Sequence, residues 1–285
     1  MDRDSSGTHN DGIEHSSSAW RGDTEDSYRR ATERVIETMH ERLYESFSLD
    51  EMAEVGIMSS YHFVRVFRQL TGIPPAQFFW ALRLQEAKRL LLTTQQSVTD
   101  ICFEVGYNSL GTFTRRFTEL VGVPPRRFRS LAEGAGAEMA NQLRNYLMEQ
   151  LEPADDSAVH GFFDVPDDFS GVAFVGLFPK PIPQGSPLAC SISQTALGFG
   201  ITQRLEDGQY FVCSAAFDLG ASQESFLLGQ DALRAENIKC GLKVENGSVS
   251  QPVKLQMRRS LVTDPPILMA FPPLVADYLQ ASGAA

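Results

Sequence analysis

The sequence predicts a multidomain protein: an all-α double helix-turn-helix domain followed by a mostly β, antiparallel sandwich-like C-terminal domain. Three observations predict it. Residues 59–78 return at 109–128 with the same chemistry, so one helical unit is present twice. After about residue 162 the helical spacing of apolar residues gives way to short β-prone runs between Gly, Pro, Asn and Asp. The charge divides along the same boundaries, with only the middle of the chain basic. A length of 285 residues suits about two domains, and a hydrophobic content of 42% suits globular cores.

Residues 1–27 are rich in Ser, Asp and Gly and hold almost no apolar residues, so a disordered acidic tail is expected there. From Tyr28, the apolar residues Val35, Met39 and Leu43 fall at helical spacing. The repeat follows. At an offset of 50, Ser59, Phe63, Arg65, Phe67, Leu70, Gly72, Pro74, Pro75 and Phe78 fall on Ser109, Phe113, Arg115, Phe117, Leu120, Gly122, Pro124, Pro125 and Phe128. Each unit reads as a short helix, a tight turn and a longer helix. Ser48 or Ser97 caps the short helix through its hydroxyl. That helix is expected to bury Leu49, Met52 and Ala53, or Val98, Ile101 and Cys102, and to end at Gly56 or Gly106 in the left-handed region. Ser59 or Ser109 caps the longer helix, Gly72 or Gly122 stops it, and a Pro-Pro pair starts the next element. Between the units, residues 76–92 read as a connector helix with Phe79, Leu82, Leu84, Ala87 and Leu91 for burial. The domain is placed at 28–131 and a helical linker at 132–161.

In the C-terminal domain, residues 162–285, strands are expected at 172–178, 188–194, 198–204, 209–217, 239–245 and 253–259. Asn246-Gly247 and Asp207-Gly208 read as hairpin turns. Asp164, Asp167 and Asp168 lack the spacing of a calcium loop and read as a solvated acidic linker, with His160 at its edge.

A net charge of −11 argues at first against nucleic acid. Its distribution reverses that reading: residues 28–131 hold 14 Arg and Lys against 11 Asp and Glu, and the acidic excess lies on both sides. The outer face of the first longer helix carries Ser60, Tyr61, Val64, Arg65 and Arg68. That of the second carries Asn108, Leu110, Thr112, Arg115 and Arg116. Arginine donates two bonds to guanine, Val64 and Leu110 suit thymine methyls, and hydroxyls with peripheral arginines suit phosphates. A rigid connector between two such helices suits successive major grooves of double-stranded DNA, roughly 34 Å apart.

At these residues the sequence resembles the AraC/XylS family of bacterial regulators. The run SVTDICFEVGYNSLGTFTRRFTELVGVPPRRFR from Ser97 carries most of the likeness, and SSYHFVRVFRQLTGIPP from Ser59 fits as well. The resemblance spans residues 33–129 and implies a DNA-binding domain with two recognition helices, and RNA polymerase as a partner. It also implies that Tyr61, Val64 and Arg65, with Leu110, Gly111 and Arg115, lie near base edges. The sequence departs from the family at the first turn, where Gly56 precedes Ile57 and the family usually has its glycine at Ile57. Cys102 stands where alanine is usual, and the DNA-binding part comes first rather than last.

Two roles stay open for the C-terminal domain: sensing a small-molecule effector, or dimerisation and protein contact without a ligand. An enzyme is not expected, because the domain has one histidine, His160, and no Gly-x-Ser-x-Gly elbow. Cys102, Cys190, Cys213 and Cys240 lack zinc-knuckle spacing, so free thiols are expected, with no metal or cofactor. With no signal peptide and no long apolar run, a cytoplasmic protein is expected, away from the membrane.

Overall fold

A computed structural model describes residues 12–131, 143, 145–149, 157–180, 182–235 and 241–281, with side chains from residue 24 to residue 280. The first eleven residues of the acidic tail, the small-residue hinge after Leu131, the linker at 153–156 and Cys240 lie outside the described residues.

Helix α1 is Gly12–Glu41, so it starts well before Tyr28, inside the expected tail. Among residues 24–31, Ala31 is the first that is buried. The first unit is α2 (Leu49–Val55) and α3 (Ser60–Thr71), the connector is α4 (Pro75–Thr93), and the second unit is α5 (Val98–Glu104) and α6 (Leu110–Val121), followed by α7 (Pro125–Ser130). The repeat in sequence is a repeat in packing. Phe63, Phe67 and Phe78 stack edge to face with centroids 5.4 Å apart at each step; Phe113 and Phe117 pack tilted at 5.6 Å, and Phe117 and Phe128 edge to face at 5.7 Å. Such pairs add about 0.5–1.5 kcal/mol each beyond the area they bury. One expected core residue lies outside: Leu49, at the first position of α2, is 40% exposed.

The expected strands are found as β2 (Gly171–Phe178), β3 (Ala189–Gln194), β4 (Phe199–Ile201), β5 (Gly208–Asp218), β7 (Gly241–Val244) and β8 (Val253–Arg259). Two more complete the set. β1 (Val159–Asp164) occupies what the sequence suggested was linker, and β6 (Leu233–Ala235) is too short to show a period. His160 is therefore a strand residue opposite Gly200, and Asp164 ends that strand in an ion pair with Lys254 at 2.7 Å. The strand-rich domain is one eight-stranded sheet in the order β3-β2-β5-β6-β8-β1-β4, with β7 on β5. The end strands β3 and β4 come side by side, so the sheet curls into a nearly closed barrel instead of two stacked sheets. It is antiparallel except for β1 beside β8.

The two hairpin signals have different outcomes. Asn246 and Gly247 do take positive φ, 55° and 76°, but β7 pairs with β5, and β8 with β6 and β1, so the turn joins strands that do not pair. Gly208 is not left-handed, and β4 pairs with β1, so no hairpin forms at Asp207-Gly208. Turn chemistry fixes local φ, whereas pairing follows from which faces must be buried.

β2 is buried along its whole length, which is why it reads as an unbroken apolar run. Ala173, Val175 and Leu177 fill the barrel, while Val172, Phe174 and Phe178 face a second core outside it. That outer core is covered by Leu143 and Leu147 of the helical segment near residues 145–149, by Phe226 of α8 (Gln223–Leu228), and by Phe271, Val275 and Leu279 of α9 (Phe271–Ala281). Residues 267–272 are thus core.

The halves share a core. Leu227, Leu268 and Ala270 belong to the same cluster as Phe113 and Phe117 of the second unit, and Ile182 joins the cluster of the first. Backbone bonds cross as well, from Ala270 N–H to the Val121 carbonyl at 2.9 Å and from Gly185 N–H to the Leu120 carbonyl at 3.1 Å. The lysine Lys88 of α4, fully buried, donates to the Ile267 carbonyl at 3.1 Å.

Candidate nucleic-acid interface

Each longer helix begins the same way. The Ser59 hydroxyl accepts from the His62 N–H and that of Ser109 from the Thr112 N–H, each at 3.4 Å. Each ends on a left-handed glycine, Gly72 at φ 85° and Gly122 at φ 94°. With Phe63, Val66 and Phe67, or Phe113 and Phe117, turned into the core, helical geometry fixes what faces water.

On α3 that face holds Tyr61 (84% exposed), Arg65 and Arg68, with Ser60 and Val64 half-buried. On α6 it holds Leu110, Gly111, Thr112, Arg115 and Arg116, all exposed, and Asn108 is exposed just before the helix. Ser60 is partly engaged, since its hydroxyl donates to the Asp50 carboxylate at 2.6 Å. One Arg65 nitrogen lies 3.3 Å from His62 Nδ1, and His62 Nε2 lies 3.1 Å from the Tyr28 hydroxyl, so a chain of contacts runs from α1 to the arginine. His62 was not among the residues the sequence singled out. Its place three residues before Arg65 was the available signal.

Two further positioning residues escaped the sequence reading. Arg83 of α4 is buried against the rings of Phe79 and Trp80, 4.4 and 4.9 Å from their centroids. It donates to the carbonyls of Leu43 and Glu45, tying the connector to the entry of the first unit. Burial lowers its pKa from the usual value. A Cβ at Gly106 would come within 2.7 Å of its guanidinium, so Arg83 also abuts the turn of the second unit. Arg129 donates to the carbonyls of Leu91 and Gln96 at 3.0 and 2.7 Å, fixing the other end of the connector. Their clue lay in α4 being apolar nearly all round, which places it inside the domain.

The first turn departs from the expectation for Gly56. That residue is right-handed, φ −73°, and the left-handed position is Ile57, φ 57°. The backbone bonds explain it: Met58 N–H reaches the Ala53 carbonyl as Tyr107 N–H reaches that of Cys102, so Ile57 is the counterpart of Gly106. The short helices are offset by 49 residues and the longer ones by 50. The capping box at α2 is complete: Glu51 accepts from the Ser48 backbone N–H at 2.8 Å and Ser48 Oγ accepts from the Glu51 N–H at 3.3 Å. The Ser48 backbone N–H, then its hydroxyl, then Arg42 hold the Glu51 carboxyl at about 2.

The helical domain is similar to known proteins. The helix-turn-helix domain family matches residues 31–130. A Haemophilus influenzae protein described as an uncharacterized HTH-type transcriptional regulator is 41% identical over 56 residues, 20% of this chain and 19% of its own length. The uncharacterized HTH-type transcriptional regulator YbfP of Bacillus subtilis is 30% identical over 74 residues, 26% of this chain and 25% of its own. The chain thus spans a fifth to a quarter of the length of these curated relatives. Among solved structures, a Chromobacterium violaceum transcriptional regulator with an AraC-type DNA-binding domain is 25% identical, covering 38% of this chain and 96% of that one, with a TM-score of 0.37. The DNA-binding domain of AdpA, solved with a target DNA, is 31% identical, covering 35% and 93%, with a TM-score of 0.34. Residues 31–130 of this chain carry a helix-turn-helix domain, and the two curated relatives are described as transcriptional regulators.

Proposed function

We propose that the chain is a transcriptional regulator that reads two neighbouring major grooves of double-stranded DNA with α3 and α6, and that its barrel domain senses a small molecule. The observation that carries the first part is the duplicated helix with an arginine at the same place on its outer face, Arg65 and Arg115, both exposed. In this reading Tyr61, Val64 and Arg65, with Leu110, Gly111 and Arg115, meet base edges. Ser60, Arg68, Asn108, Thr112 and Arg116 meet phosphates. Sensing is favoured over a purely assembling role because the barrel domain encloses a cavity and shares its core with the second unit. Among the described residues no helix is long and apolar enough to cross a membrane.

The test is selection of bound sequences from a random DNA library with the full chain at a stated salt concentration. The expected result is one motif of two boxes about a helical turn apart. Arg115→Ala should then cost about 1–3 kcal/mol at one base position and relax the sequence there. A uniform loss across all sequences would make Arg115 a phosphate contact, and no enrichment with the full chain would overturn the regulator reading.

A further inference from the structure

We infer that the cavity between the sheet and residues 265–271 binds a small molecule with a carboxylate head and a slender apolar body, and that its occupancy is felt by the second helix-turn-helix unit. The coupling rests on the sensing role proposed above, whereas the binding site does not.

The cavity's floor is the outer face of β2, β3 and β5. Gly176 stands in register between Cys190 on one side and Cys213 on the other, and the Phe178 ring and Pro187 close over the place where its side chain would lie. The roof is Ile267, Met269 and Phe271. Burial pushes the Cys190 and Cys213 thiols up to about 11 and about 12, so both are neutral and nearly apolar. The charge in this lining is Arg234. It pairs in register with Ala215, which puts its side chain on the cavity face of the sheet.

Arg234 is 8% exposed. One guanidinium nitrogen donates to the Pro265 carbonyl at 2.6 Å, and Nε has no partner among the described residues. Asp264, whose charge acts on it, is already engaged: it accepts two bonds from Arg258, at 2.7 and 2.9 Å, and one from the Leu261 N–H at 2.8 Å. Two guanidinium groups therefore face one carboxylate. A guanidinium does not shed its proton in a protein, and an incompletely paired buried cation is costly. A carboxylate supplies both the missing charge and the planar acceptor that a guanidinium fits. The apolar lining selects the rest of the ligand.

Size sets the consequence. The cavity measures about 30 Å³, where one water takes roughly 10–15 Å³. A body of more than a few atoms must lift the roof. Successive roof residues alternate between the two domains. Ile267, Met269 and Phe271 belong to the outer core of the barrel, whereas Leu268 and Ala270 belong to the core of the second unit. The same segment holds α4 and the end of α6 through Lys88 to the Ile267 carbonyl and Ala270 N–H to the Val121 carbonyl. Lifting it moves the support of the helix that carries Arg115.

The test uses the full chain with acetate, butyrate, hexanoate and benzoate at millimolar concentration, each beside its neutral primary amide. Calorimetric titration and thermal unfolding should show the longer carboxylates binding and raising Tm, with the amides at least tenfold weaker. Arg234→Met should weaken carboxylate binding at least tenfold. Since Arg234 also holds Pro265, Met269→Phe provides a second variant that fills the cavity from the roof and leaves the guanidinium in place, and it too should abolish binding. Equal binding of amides, no binding of any carboxylate, or binding untouched by both variants overturns the site. DNA affinity measured on the same samples should change at least threefold with saturating carboxylate. Binding without such a change overturns the coupling. A chain that binds carboxylate but no DNA overturns the regulator reading and leaves the site standing.

Discussion

Lys88 offers the sharpest test of how the two domains are joined. Replacing it with Met keeps the length of the side chain and removes the ammonium from a fully buried position. Burial lowers its pKa from 10.5 to about 7, a gap of 3.5. At about 1.4 kcal/mol for each unit, the buried charge costs about 5 kcal/mol at pH 7 and below, where both folded and unfolded chains hold the proton. Between pH 7 and 10.5 the unfolded chain binds the proton and the folded chain does not, so stability rises with pH and the penalty fades. Against this stands the bond to the Ile267 carbonyl, whose loss orphans a buried acceptor and costs about 1–3 kcal/mol. Lys88→Met should therefore be more stable than the parent by about 2–4 kcal/mol at pH 7 and, with about 1 kcal/mol of the penalty still present half a unit below 10.5, less stable by about 0–2 kcal/mol at pH 10. Urea unfolding of the full chain at the two pH values reads this directly. A change of the same sign and size at both would refute the reasoning, because it would mean that the ammonium is not desolvated where the domains meet.

Four more outcomes follow from local geometry. Ile57→Gly should stabilise the first unit by about 0.5–1 kcal/mol, since a left-handed L-residue costs about 1–2 kcal/mol and glycine gives back about 0.5–1 through its freer unfolded chain. Ile57 is 83% exposed, so little packing is lost, and a measured destabilisation would argue that its side chain is held by something. Gly106→Ala should cost at least about 1–2 kcal/mol, because φ is 79° there and a Cβ meets the buried Arg83 guanidinium; unchanged thermal unfolding would remove Arg83 from its placing role. Ser48→Ala should cost about 1 kcal/mol of helix capping. Glu51, held at about 2, contributes stability that is present above pH 4.5 and lost as pH falls toward 2. Glu51→Gln should flatten that acid limb in a pH series of melting curves.

The two-unit architecture was legible in the sequence because caps, stops and core phenylalanines are local signals repeated at one offset. Ser59 and Ser109, Gly72 and Gly122, and the two triplets of phenylalanine sit where the repeat placed them. The outer faces of α3 and α6 follow from the same periodicity, since whatever is not turned inward must face water. The register of the turns was not legible. The second turn is one residue longer than the first, so the counterpart of the left-handed Gly106 is Ile57 and not Gly56, and only the backbone bonds of Met58 and Tyr107 reveal it.

In the C-terminal half, alternation and unbroken apolar runs marked most strands, but not their partners. Pairing β1 beside β8 brings together residues some 90 positions apart in sequence, and no local pattern encodes such a contact. The same holds for the buried cations. Arg83, Lys88 and Arg234 become buried only when other segments close over them, and all three find carbonyl partners more than 30 residues away. Sequence alone therefore determined that the chain carries a duplicated helix-turn-helix domain, because local periodicity and capping act within a few residues. Tertiary structure alone decided that the barrel shares a core with the second unit and what lines its cavity, because those depend on which distant faces exclude water together.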